Sequence, residues 1–407
     1  MATTNKNYDK LAGGYLFSEI AKRTREFARK NPRVEILRLG VGNTTEPLPK
    51  SVIAGLKLGV LNLSTKSAYR GYGDEQGDLR LRVALCRWYK KLGVTLLADE
   101  VFISDGAKPD TANIQSIFST KSVVAVCDPV YPVYIESNVI YGRTGKYKNG
   151  RYSGVYYMPC TQENVFFPDL PKKPVDIIYI CSPNNPTGAV ATRAQLKKFV
   201  DWARGHKAVI IFDCAYGAFI KDKSLPKSIY EIPGARECAI EIGSFSKWAG
   251  FCGVRLGWTV VPKTVVCQGA NRGKINSLWL RRQTTMFNGA SNIAQEGGLA
   301  VLSARGQRDS QKVVDYYMDN AKIIKNGLLK KGLEVFGGVD APYIWVKTPN
   351  KMSSWDFFDK LLSQAHVVGT PGSGFGPNGE GYFRLSAFGH RADILAAVES
   401  IQKNLEI

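Results

Sequence analysis

Three short stretches of the sequence carry groups that can hold an anion, transfer a proton or attack a carbonyl carbon. SPNNPTG at 182–188 follows the apolar run VDIIYIC, and Asp213 closes a second apolar run with Tyr216 three residues beyond it. SFSK at 244–247 follows a third run, and Arg255 comes eight residues after Lys247. Hydroxyl groups, a lysine and an arginine that gather in one place form a binding site for a phosphate or a carboxylate.

Each stretch also has an ordinary explanation when it is taken alone. An Asn-Pro-Thr-Gly sequence before a capped helix is usually a turn, and an aspartate after a strand is often a loop cap. The carboxyl ends of parallel strands, however, converge on one crevice, where all three stretches can meet.

Pyridoxal phosphate would use the three stretches together. It requires an amine for its aldehyde, a carboxylate for its pyridine nitrogen, donors for its phenolic oxygen, and hydroxyls with an arginine for its phosphate. The residues that supply these groups are Lys247, Asp213, Asn185, Tyr216, Ser244, Ser246 and Arg255.

The elements that must position these residues follow the pattern of an α/β protein. Apolar, β-branched runs predict strands that alternate with helical periodicity, as in a mainly parallel sheet covered by helices. The predicted strands are 122–128, 175–181, 208–215, 238–245 and 254–261. Between the second and the third, Thr192 and Gln195 form a capping box, and Gly205 is expected to end the helix that follows.

The C-terminal third of the chain predicts a smaller domain of the α+β class. Helices are expected at 312–331, after a cap at Ser354, and at 391–404, with a strand at 342–348. We therefore divide the chain into an N-terminal arm (1–16), a segment that joins the small domain (17–47), a large cofactor-binding domain (48–295) and a small C-terminal domain (296–407).

The composition is that of a globular protein. Hydrophobic residues make up 44% and charged residues 22% of the 407, which excludes a disordered chain, and no apolar run approaches the roughly 20 residues that cross a bilayer. The eight cysteines form no CxxC pair and there are only three histidines, so that no metal site is predicted.

Unpaired thiols favour a reducing compartment, and the N-terminus resembles no leader. The cytoplasm is therefore expected, or the plastid stroma if a transit peptide has been removed.

The net charge of +20 raises the question of nucleic acid. The basic residues are scattered singly and in pairs, and no nucleic-acid-binding motif accompanies them. A solvated basic surface is therefore favoured, with neither nucleic acid nor a membrane as partner. A non-catalytic protein that binds a polyanion through this surface is the distant alternative.

The motifs as a set resemble the fold-type I, aspartate-aminotransferase-like class of pyridoxal-phosphate enzymes, over nearly the whole chain. Within that class they are most similar to the LL-diaminopimelate aminotransferases. The segments that carry the resemblance include LAGGYLFSEIAKR (11–23), LGVGNTTEPLP (39–49), YRGYGDEQG (69–77), DPVYPVY (128–134), SFSKWAGFCGVRLGW (244–258) and PGSGFGPNGEGYFRLSAFG (371–389). The resemblance implies a homodimer that exchanges an amino group between LL-2,6-diaminopimelate and 2-oxoglutarate, giving tetrahydrodipicolinate and glutamate, in lysine biosynthesis.

The resemblance also implies roles for individual residues. The catalytic set would be Lys247, which bonds the cofactor, Asp213, Tyr216 and Tyr131, which stacks on the pyridine ring. The further cofactor contacts would be Asn185, Asn288, Ser244, Ser246, Arg255, the backbone at Ala107 and Lys108, and Tyr72 of the partner subunit. The substrate would meet Arg384 at its α-carboxylate, and also Gly42, Tyr131, Asn185, Tyr15, Glu75, Lys108 and Asn288. Tyr15, Tyr72 and Glu75 would be contributed across the two-fold interface.

Substrate selectivity can be argued from charge. Diaminopimelate has an amino acid head at both ends, and Lys108 and Glu75 have the signs that its distal carboxylate and ammonium require. Lysine lacks the distal carboxylate and would leave Lys108 poorly paired. Diaminopimelate is therefore preferred, and a lysine-directed or broad aminotransferase on the same scaffold is the alternative. Asn43, Ala107 and Trp248 depart from the residues usual in the family, and Trp248 would alter substrate choice if it faced the site.

Overall fold

The computed structural model describes residues 1–11 and 16–407, and they contain one seven-stranded sheet, one four-stranded sheet and two two-stranded pairs. The strands are β1 (Leu37–Arg38), β2 (Val101–Ser104), β3 (Val124–Asp128), β4 (Tyr147–Lys148), β5 (Arg151–Tyr152), β6 (Val155–Pro159), β7 (Ile177–Cys181), β8 (Val209–Asp213), β9 (Ala239–Ser244), β10 (Gly257–Val260), β11 (Val335–Gly337), β12 (Tyr343–Lys347), β13 (Val367–Val368), β14 (Thr370–Pro371) and β15 (Tyr382–Ser386). The two-stranded pairs are β1 with β13 and β4 with β5. The helices are α1 (Leu16–Lys30), α2 (Lys50–Leu61), α3 (Leu79–Lys90), α4 (Ala107–Asn113), α5 (Val133–Ile140), α6 (Arg193–His206), α7 (Phe245–Trp248), α8 (Lys274–Met286), α9 (Asn292–Leu302), α10 (Ala304–Lys330), α11 (Ser354–Ala365) and α12 (Arg391–Asn404).

The larger sheet has the strand order β2-β10-β9-β8-β7-β3-β6. Strands β9, β8, β7, β3 and β6 pair in parallel, and β10 is antiparallel to both of its neighbours. Burial explains why these strands have continuous apolar runs, since every residue of β3, β7 and β8 is buried. The prediction of an α/β fold with a mainly parallel sheet is confirmed.

The register of the larger sheet brings several strand ends to one edge. Cys181 pairs with Asp213, and Gly257 pairs with both Ser244 and Ser104. Because β10 runs antiparallel, its first residue lies at the edge where β2 and β9 end. The chain segment that enters β10 therefore approaches this same edge.

Helix α6 follows the predicted cap but not the predicted end. The side chain of Thr192 accepts a hydrogen bond from the Gln195 backbone N–H, and the side chain of Gln195 accepts one from the Thr192 backbone N–H, so the capping box is present. The prediction that Gly205 ends the helix was wrong, because the helix continues to His206 and Lys207 adopts the left-handed conformation with φ 53°. Helix α11 likewise has its cap at Ser353 and not at Ser354, since the Ser353 hydroxyl accepts from the Asp356 N–H.

The smaller sheet has the order β11-β12-β15-β14, and all of its pairs are antiparallel. Strand β1 pairs in parallel with β13, which brings the segment after α1 beside the C-terminal third of the chain. Helices α10 and α12 pack closely at Gly327, where an added Cβ would lie 2.2 Å from a methyl carbon of Val398. The predicted domain boundaries stay predictions.

Among the described residues, no helix is both long and apolar enough to span a membrane.

Candidate active site

A cavity of about 530 Å³ opens at the edge where the strands of the larger sheet end. Its walls combine residues of both sheets, of α4 and α7, and of the loops that follow β3 and β7. The residues that line it are Phe17, Val41, Gly42, Asn43, Ala107, Lys108, Thr111, Tyr131, Tyr134, Cys181, Asn185, Asp213, Ala215, Tyr216, Ser244, Ser246, Lys247, Cys252, Arg255, Tyr343 and Arg384.

Asp213 places a buried carboxylate in this cavity, at the last position of β8. The Tyr134 hydroxyl donates to its Oδ2 at 2.7 Å, and the Ala215 N–H donates to its Oδ1 at 3.0 Å. Burial raises the pKa of Asp213, and these two hydrogen bonds oppose the shift only in part. Among the described residues no lysine or arginine forms an ion pair with it. A cation beside Asp213 would therefore stabilise the ionised carboxylate.

Lys247 projects into the cavity from α7, the short helix that Ser244 caps. Its Nζ donates to the Gly42 carbonyl oxygen and, at 3.1 Å, to the Cys252 sulfur. Burial acts to raise the pKa of Cys252, but the Lys247 charge and hydrogen bonds with Thr44 outweigh it, so that the pKa is lowered overall. The amine is thus held by two contacts and is half-buried within the cavity.

Ser244, Ser246 and Arg255 surround a second polar end of the cavity, next to Gly106. The Ser244 hydroxyl accepts a hydrogen bond from the Ser246 N–H at 3.0 Å, and Arg255 is held by a bond from its Nη1 to the Cys252 carbonyl oxygen. Arg255 has φ 68°, in the left-handed region that non-glycine residues rarely adopt. Gly106 permits its approach, because an added Cβ would lie 2.2 Å from Nη2 of Arg255.

Arg384 is the cavity's buried cation, since only 2% of the residue is exposed. Its Nη1 donates to Oδ1 of Asn185 at 2.6 Å, and its Nη2 donates to the Gly40 carbonyl oxygen at 2.8 Å. Its Nε has no hydrogen-bond partner among the described residues. A buried guanidinium whose nearest partners are neutral acceptors fits a site for a ligand carboxylate.

The structure brings together most of the residues predicted for the site. Lys247, Asp213, Tyr216, Tyr131, Asn185, Ala107, Lys108, Ser244, Ser246, Arg255, Gly42 and Arg384 all line the cavity. Of the departures, Asn43 and Ala107 also line it. Trp248 does not: it is buried against Phe245, with their rings parallel and 5.8 Å apart, so it cannot act on a ligand directly.

Tyr72, Glu75 and Asn288 do not line the cavity in a single chain. They lie near one another on the surface, because the segment at 71–75 packs against the segment at 289–292. A Cβ at Gly289 would lie 3.1 Å from the Asp74 carbonyl oxygen, and Asn292 Nδ2 donates to the Gly71 carbonyl oxygen at 3.1 Å. Tyr72 is 88% exposed. Tyr15 lies outside the described residues.

Sequence reasoning missed two tyrosines that structure this cavity. Tyr134, the residue that bonds Asp213, stands three positions after Tyr131, and that spacing places both on one face if a helix begins there. Tyr343 is on β12, far from the other residues along the chain, and its hydroxyl lies 2.8 Å from that of Tyr216. No short motif marks it.

The donor set fits pyridoxal phosphate. The phosphate would meet two serine hydroxyls and the Arg255 guanidinium beside Gly106, where a side chain would fill the space. The buried Asp213, which lacks a cationic partner among the described residues, suits a protonated ring nitrogen. The amine of Lys247 lies in the same cavity, within reach of an aldehyde. The residues present thus supply every group that the cofactor requires.

Comparisons with known proteins agree with this arrangement. The family model described as aminotransferase class I and II matches residues 34–401. L,L-Diaminopimelate aminotransferase from Chlamydomonas reinhardtii is 49% identical, covers 99% of this chain and 98% of its own, and superposes with a TM-score of 0.93. The substrate-bound BacF structure from Bacillus subtilis is 27% identical, with coverages of 99% and 98% and a TM-score of 0.83. The aromatic aminotransferase from Pyrococcus horikoshii, at 24% identity, coverages of 93% and 98% and a TM-score of 0.79, shares the fold.

Proposed function

The chain belongs to the class I and II aminotransferase family, and on this basis we propose that it moves an amino group between LL-2,6-diaminopimelate and 2-oxoglutarate. The products are tetrahydrodipicolinate and glutamate, and pyridoxal 5'-phosphate is the cofactor. Enzymes of this family generally use that cofactor. The observation that carries the substrate assignment is the 49% identity, over 99% of the chain, to a protein named L,L-diaminopimelate aminotransferase.

We assign the cofactor contacts to residues of the cavity. Lys247 bonds the aldehyde carbon, Asp213 pairs with the ring nitrogen, and Tyr216 and Asn185 donate to the phenolic oxygen. Ser244, Ser246, Arg255 and the backbone at Ala107 and Lys108 hold the phosphate, and Tyr131 covers the ring. When bound, the cofactor supplies an electron sink for the pair released from the substrate Cα–H bond.

Lys247 has two tasks in this proposal. Its Nζ would anchor the cofactor before substrate arrives, and the freed amine would then act as general base and general acid, moving the proton from the substrate Cα to the C4′ carbon of the cofactor and, in the other half of the exchange, from C4′ back to Cα. The contacts with the Gly42 carbonyl and the Cys252 sulfur keep the amine on one side of the cavity while it is free. The buried side chains of Tyr216 and Arg384 help to exclude water from the part of the cavity that holds this amine.

Arg384 fixes the orientation of the substrate. Its guanidinium takes the α-carboxylate, and its bonds to Asn185 and to the Gly40 carbonyl hold it against the cavity wall. Asp213 keeps its negative charge when a cationic nitrogen lies beside it, because that cation lowers the pKa that burial raises. Arg384 and Asp213, the two groups that would orient the substrate and pair with the ring nitrogen, are both buried by the fold.

The distal end of the substrate distinguishes diaminopimelate from lysine. Lys108 lines the cavity and is exposed at its mouth, where it suits a second carboxylate. Glu75 and Tyr15 of the partner subunit, together with Asn288, would complete this end, and Tyr72 of the partner subunit would reach the cofactor phosphate. We therefore assign the second amino acid head of the substrate to contacts from both subunits.

A homodimer follows from the surface that carries Tyr72. Large apolar side chains are exposed on α2 and along the segment after it, a feature that in soluble proteins marks an interaction site. The exposed residues are Leu58, Val60, Leu61, Leu63, Tyr69, Tyr72 and Leu79. We propose that a second copy of the chain covers them.

The eight unpaired thiols favour a reducing compartment, either the cytoplasm or the plastid stroma.

A donor screen tests the reaction. Purified protein loaded with pyridoxal phosphate is assayed for glutamate formation from 2-oxoglutarate, with LL-diaminopimelate, lysine and other amino acids as donors. We expect diaminopimelate to be preferred, and Lys247→Ala to lower turnover by at least roughly 100-fold and to remove the adduct that borohydride fixes on the wild type. Lys263→Ala, at a surface lysine, is the matched control. Full activity of Lys247→Ala would end the mechanism.

The substrate assignment has its own variant. Lys108→Gln should lower kcat/KM for diaminopimelate about fivefold more than for lysine, because only diaminopimelate offers a distal carboxylate. Lys121→Gln, at a lysine outside the cavity, should change neither. Equal losses for both donors, or a wild-type preference for lysine, would favour the lysine-directed alternative.

A further inference from the structure

Tyr343 lies between two residues to which the proposed function gives separate tasks, Tyr216 and Arg384. It is on β12, is only 1% exposed, and lines the cavity. Its hydroxyl oxygen is 2.8 Å from the hydroxyl oxygen of Tyr216. The centroid of its ring is 4.6 Å from Cζ of Arg384. One side chain of the smaller sheet thus contacts both a cofactor-binding and a substrate-binding residue.

We propose that Tyr343 is a positioning residue with two separable actions: its hydroxyl directs the Tyr216 proton toward the cofactor's phenolic oxygen, and its ring holds the Arg384 guanidinium for the substrate carboxylate. This inference rests on the proposed function. It assigns no contact between Tyr343 and the reacting atoms.

The hydroxyl argument follows from proton counting. A phenol has one proton to donate and can accept through its oxygen. Tyr216 can donate to the cofactor only if it does not donate to Tyr343, so that Tyr343 must be the donor in their hydrogen bond. A bond accepted by Tyr216 also strengthens the bond that it donates, since linked hydrogen bonds polarise one another. Burial raises the pKa of Tyr216, which keeps it a neutral donor.

The ring argument follows from the surroundings of Arg384. Two aromatic rings contact its Cζ, Tyr343 at 4.6 Å and Phe375 at 4.9 Å from their centroids. Such contacts are strongest where the cation is desolvated, as this 2% exposed arginine is. Gly42 leaves the space that the Tyr343 hydroxyl occupies, because an added Cβ there would lie 2.7 Å from it. Tyr343 is therefore confined by the Gly42 backbone as well as by Tyr216 and Arg384.

Two substitutions separate the actions. Tyr343→Phe removes the hydroxyl and keeps the ring, and Tyr343→Leu removes both. For each holoenzyme we would measure kcat and KM for the amino donor, and the pH midpoint of the cofactor's visible absorbance. In Tyr343→Phe we expect the midpoint to rise by roughly 0.1–0.6 pH units, because a weaker donor stabilises the phenolate less. We also expect kcat to fall about two- to fivefold with KM unchanged. In Tyr343→Leu, KM should rise in addition by about 5- to 30-fold.

The control is Tyr230→Phe, which removes a buried hydroxyl that bonds main-chain carbonyl oxygens away from the cavity. It should leave the midpoint and KM at wild-type values even if it lowers the melting temperature as much as Tyr343→Phe does. A wild-type midpoint in Tyr343→Phe would overturn the hydroxyl action, and equal KM values in the two Tyr343 variants would overturn the ring action. Wild-type protein without cofactor absorbance would instead contradict the proposed function itself.

Discussion

Cys252 illustrates how neighbouring groups decide the chemistry of a residue. Burial raises the pKa of most of the other cysteine thiols in the described chain, including half-buried Cys86 and Cys267. Cys252 is half-buried as well, but its sulfur lies 3.1 Å from the Lys247 amine, and its pKa is lowered. The positive charge of Lys247 and the hydrogen bonds with Thr44 together outweigh desolvation.

We predict that Cys252 is the most reactive thiol of the cofactor-free protein toward iodoacetamide. The thiolate is the reactive form, and the lowered pKa of Cys252 increases its thiolate fraction near neutral pH, whereas burial raises the pKa of Cys267, so Cys252 should react several-fold faster. Peptide mass spectrometry over a time course would compare Cys252 with Cys267. Lys247→Ala should slow the reaction at Cys252, because it removes the charge that stabilises the thiolate, whereas Cys267→Ser should not. Equal rates at Cys252 and Cys267 would show that the lysine does not control the thiol.

Individual residues were predictable from the sequence where their chemistry is local. Lys247, Ser244 and Ser246 stand in one short motif, and Asp213 ends an apolar run, so their gathering in one cavity could be expected from strand order alone. Tyr343 could not be found in this way. Its relation to Tyr216 depends on a contact between residues 127 positions apart in the chain, and sequence spacing carries no information about that contact.

At the scale of elements, two buried carboxyl groups lie beneath the site without taking part in it. Glu241 is on β9, and its carboxylate accepts from Tyr89, Ser228 and the Ile229 N–H at 2.6–2.8 Å. Asp110 is on α4 and accepts a hydrogen bond from Thr259 of β10. Burial raises the pKa of each group to about 7. Asp110 connects α4 with β10, and Glu241 connects β9 with α3 and with the segment at 228–229.

These groups predict a pH dependence of stability. The folded protein binds a proton at Glu241 up to a pKa of about 7, whereas the unfolded chain releases it near 4.5. The free energy of unfolding should therefore fall as pH rises from about 5 to about 7, by up to ~3 kcal/mol for each carboxyl group. Urea unfolding at a series of pH values would measure the slope. Glu241→Gln should flatten it and Glu334→Gln, at an exposed ion pair, should not. An unchanged slope in Glu241→Gln would mean that Glu241 is already ionised in the fold.

The elements themselves were largely predictable, and the exceptions have physical causes. Each of the six predicted strands is present, shortened by one to three residues at one or both ends, whereas the helix predicted at 312–331 begins earlier, at Ala304. The antiparallel direction of β10 was not visible, because an apolar run has the same pattern in either direction. Gly205 did not end α6, since the tight turn falls at Lys207, where a lysine takes the left-handed conformation. The helix cap was predicted at Ser354 and lies at Ser353, because the sequence pattern does not distinguish between two adjacent serines.

At the scale of the whole molecule, one chain contains most of the proposed site but not all of it. The cavity holds the amine, the carboxylate and the two arginines, whereas Tyr72, Glu75 and Asn288 lie outside it. Tyr72 is 88% exposed and stands among exposed apolar residues. The described residues of its own chain leave this large aromatic side chain mostly uncovered, and a partner subunit would both cover it and receive its hydroxyl at a phosphate site.

Mixed dimers test whether Tyr72 acts across the interface. Lys247→Ala and Tyr72→Ala should each be strongly impaired alone. If Tyr72 serves the partner's cavity, a mixed dimer has one site with both residues intact and one site with neither. Coexpression of the two variants in equal amounts should then restore about a quarter of wild-type turnover, since about half of the dimers are mixed and half of their sites are complete.

The control is Lys247→Ala coexpressed with Arg384→Ala. Both residues line the cavity of one chain, so every site of a mixed dimer lacks one of them, and mixing should restore no activity. Mixed dimers of Lys247→Ala and Tyr72→Ala that are no more active than the average of the parents would place Tyr72 outside the partner's site.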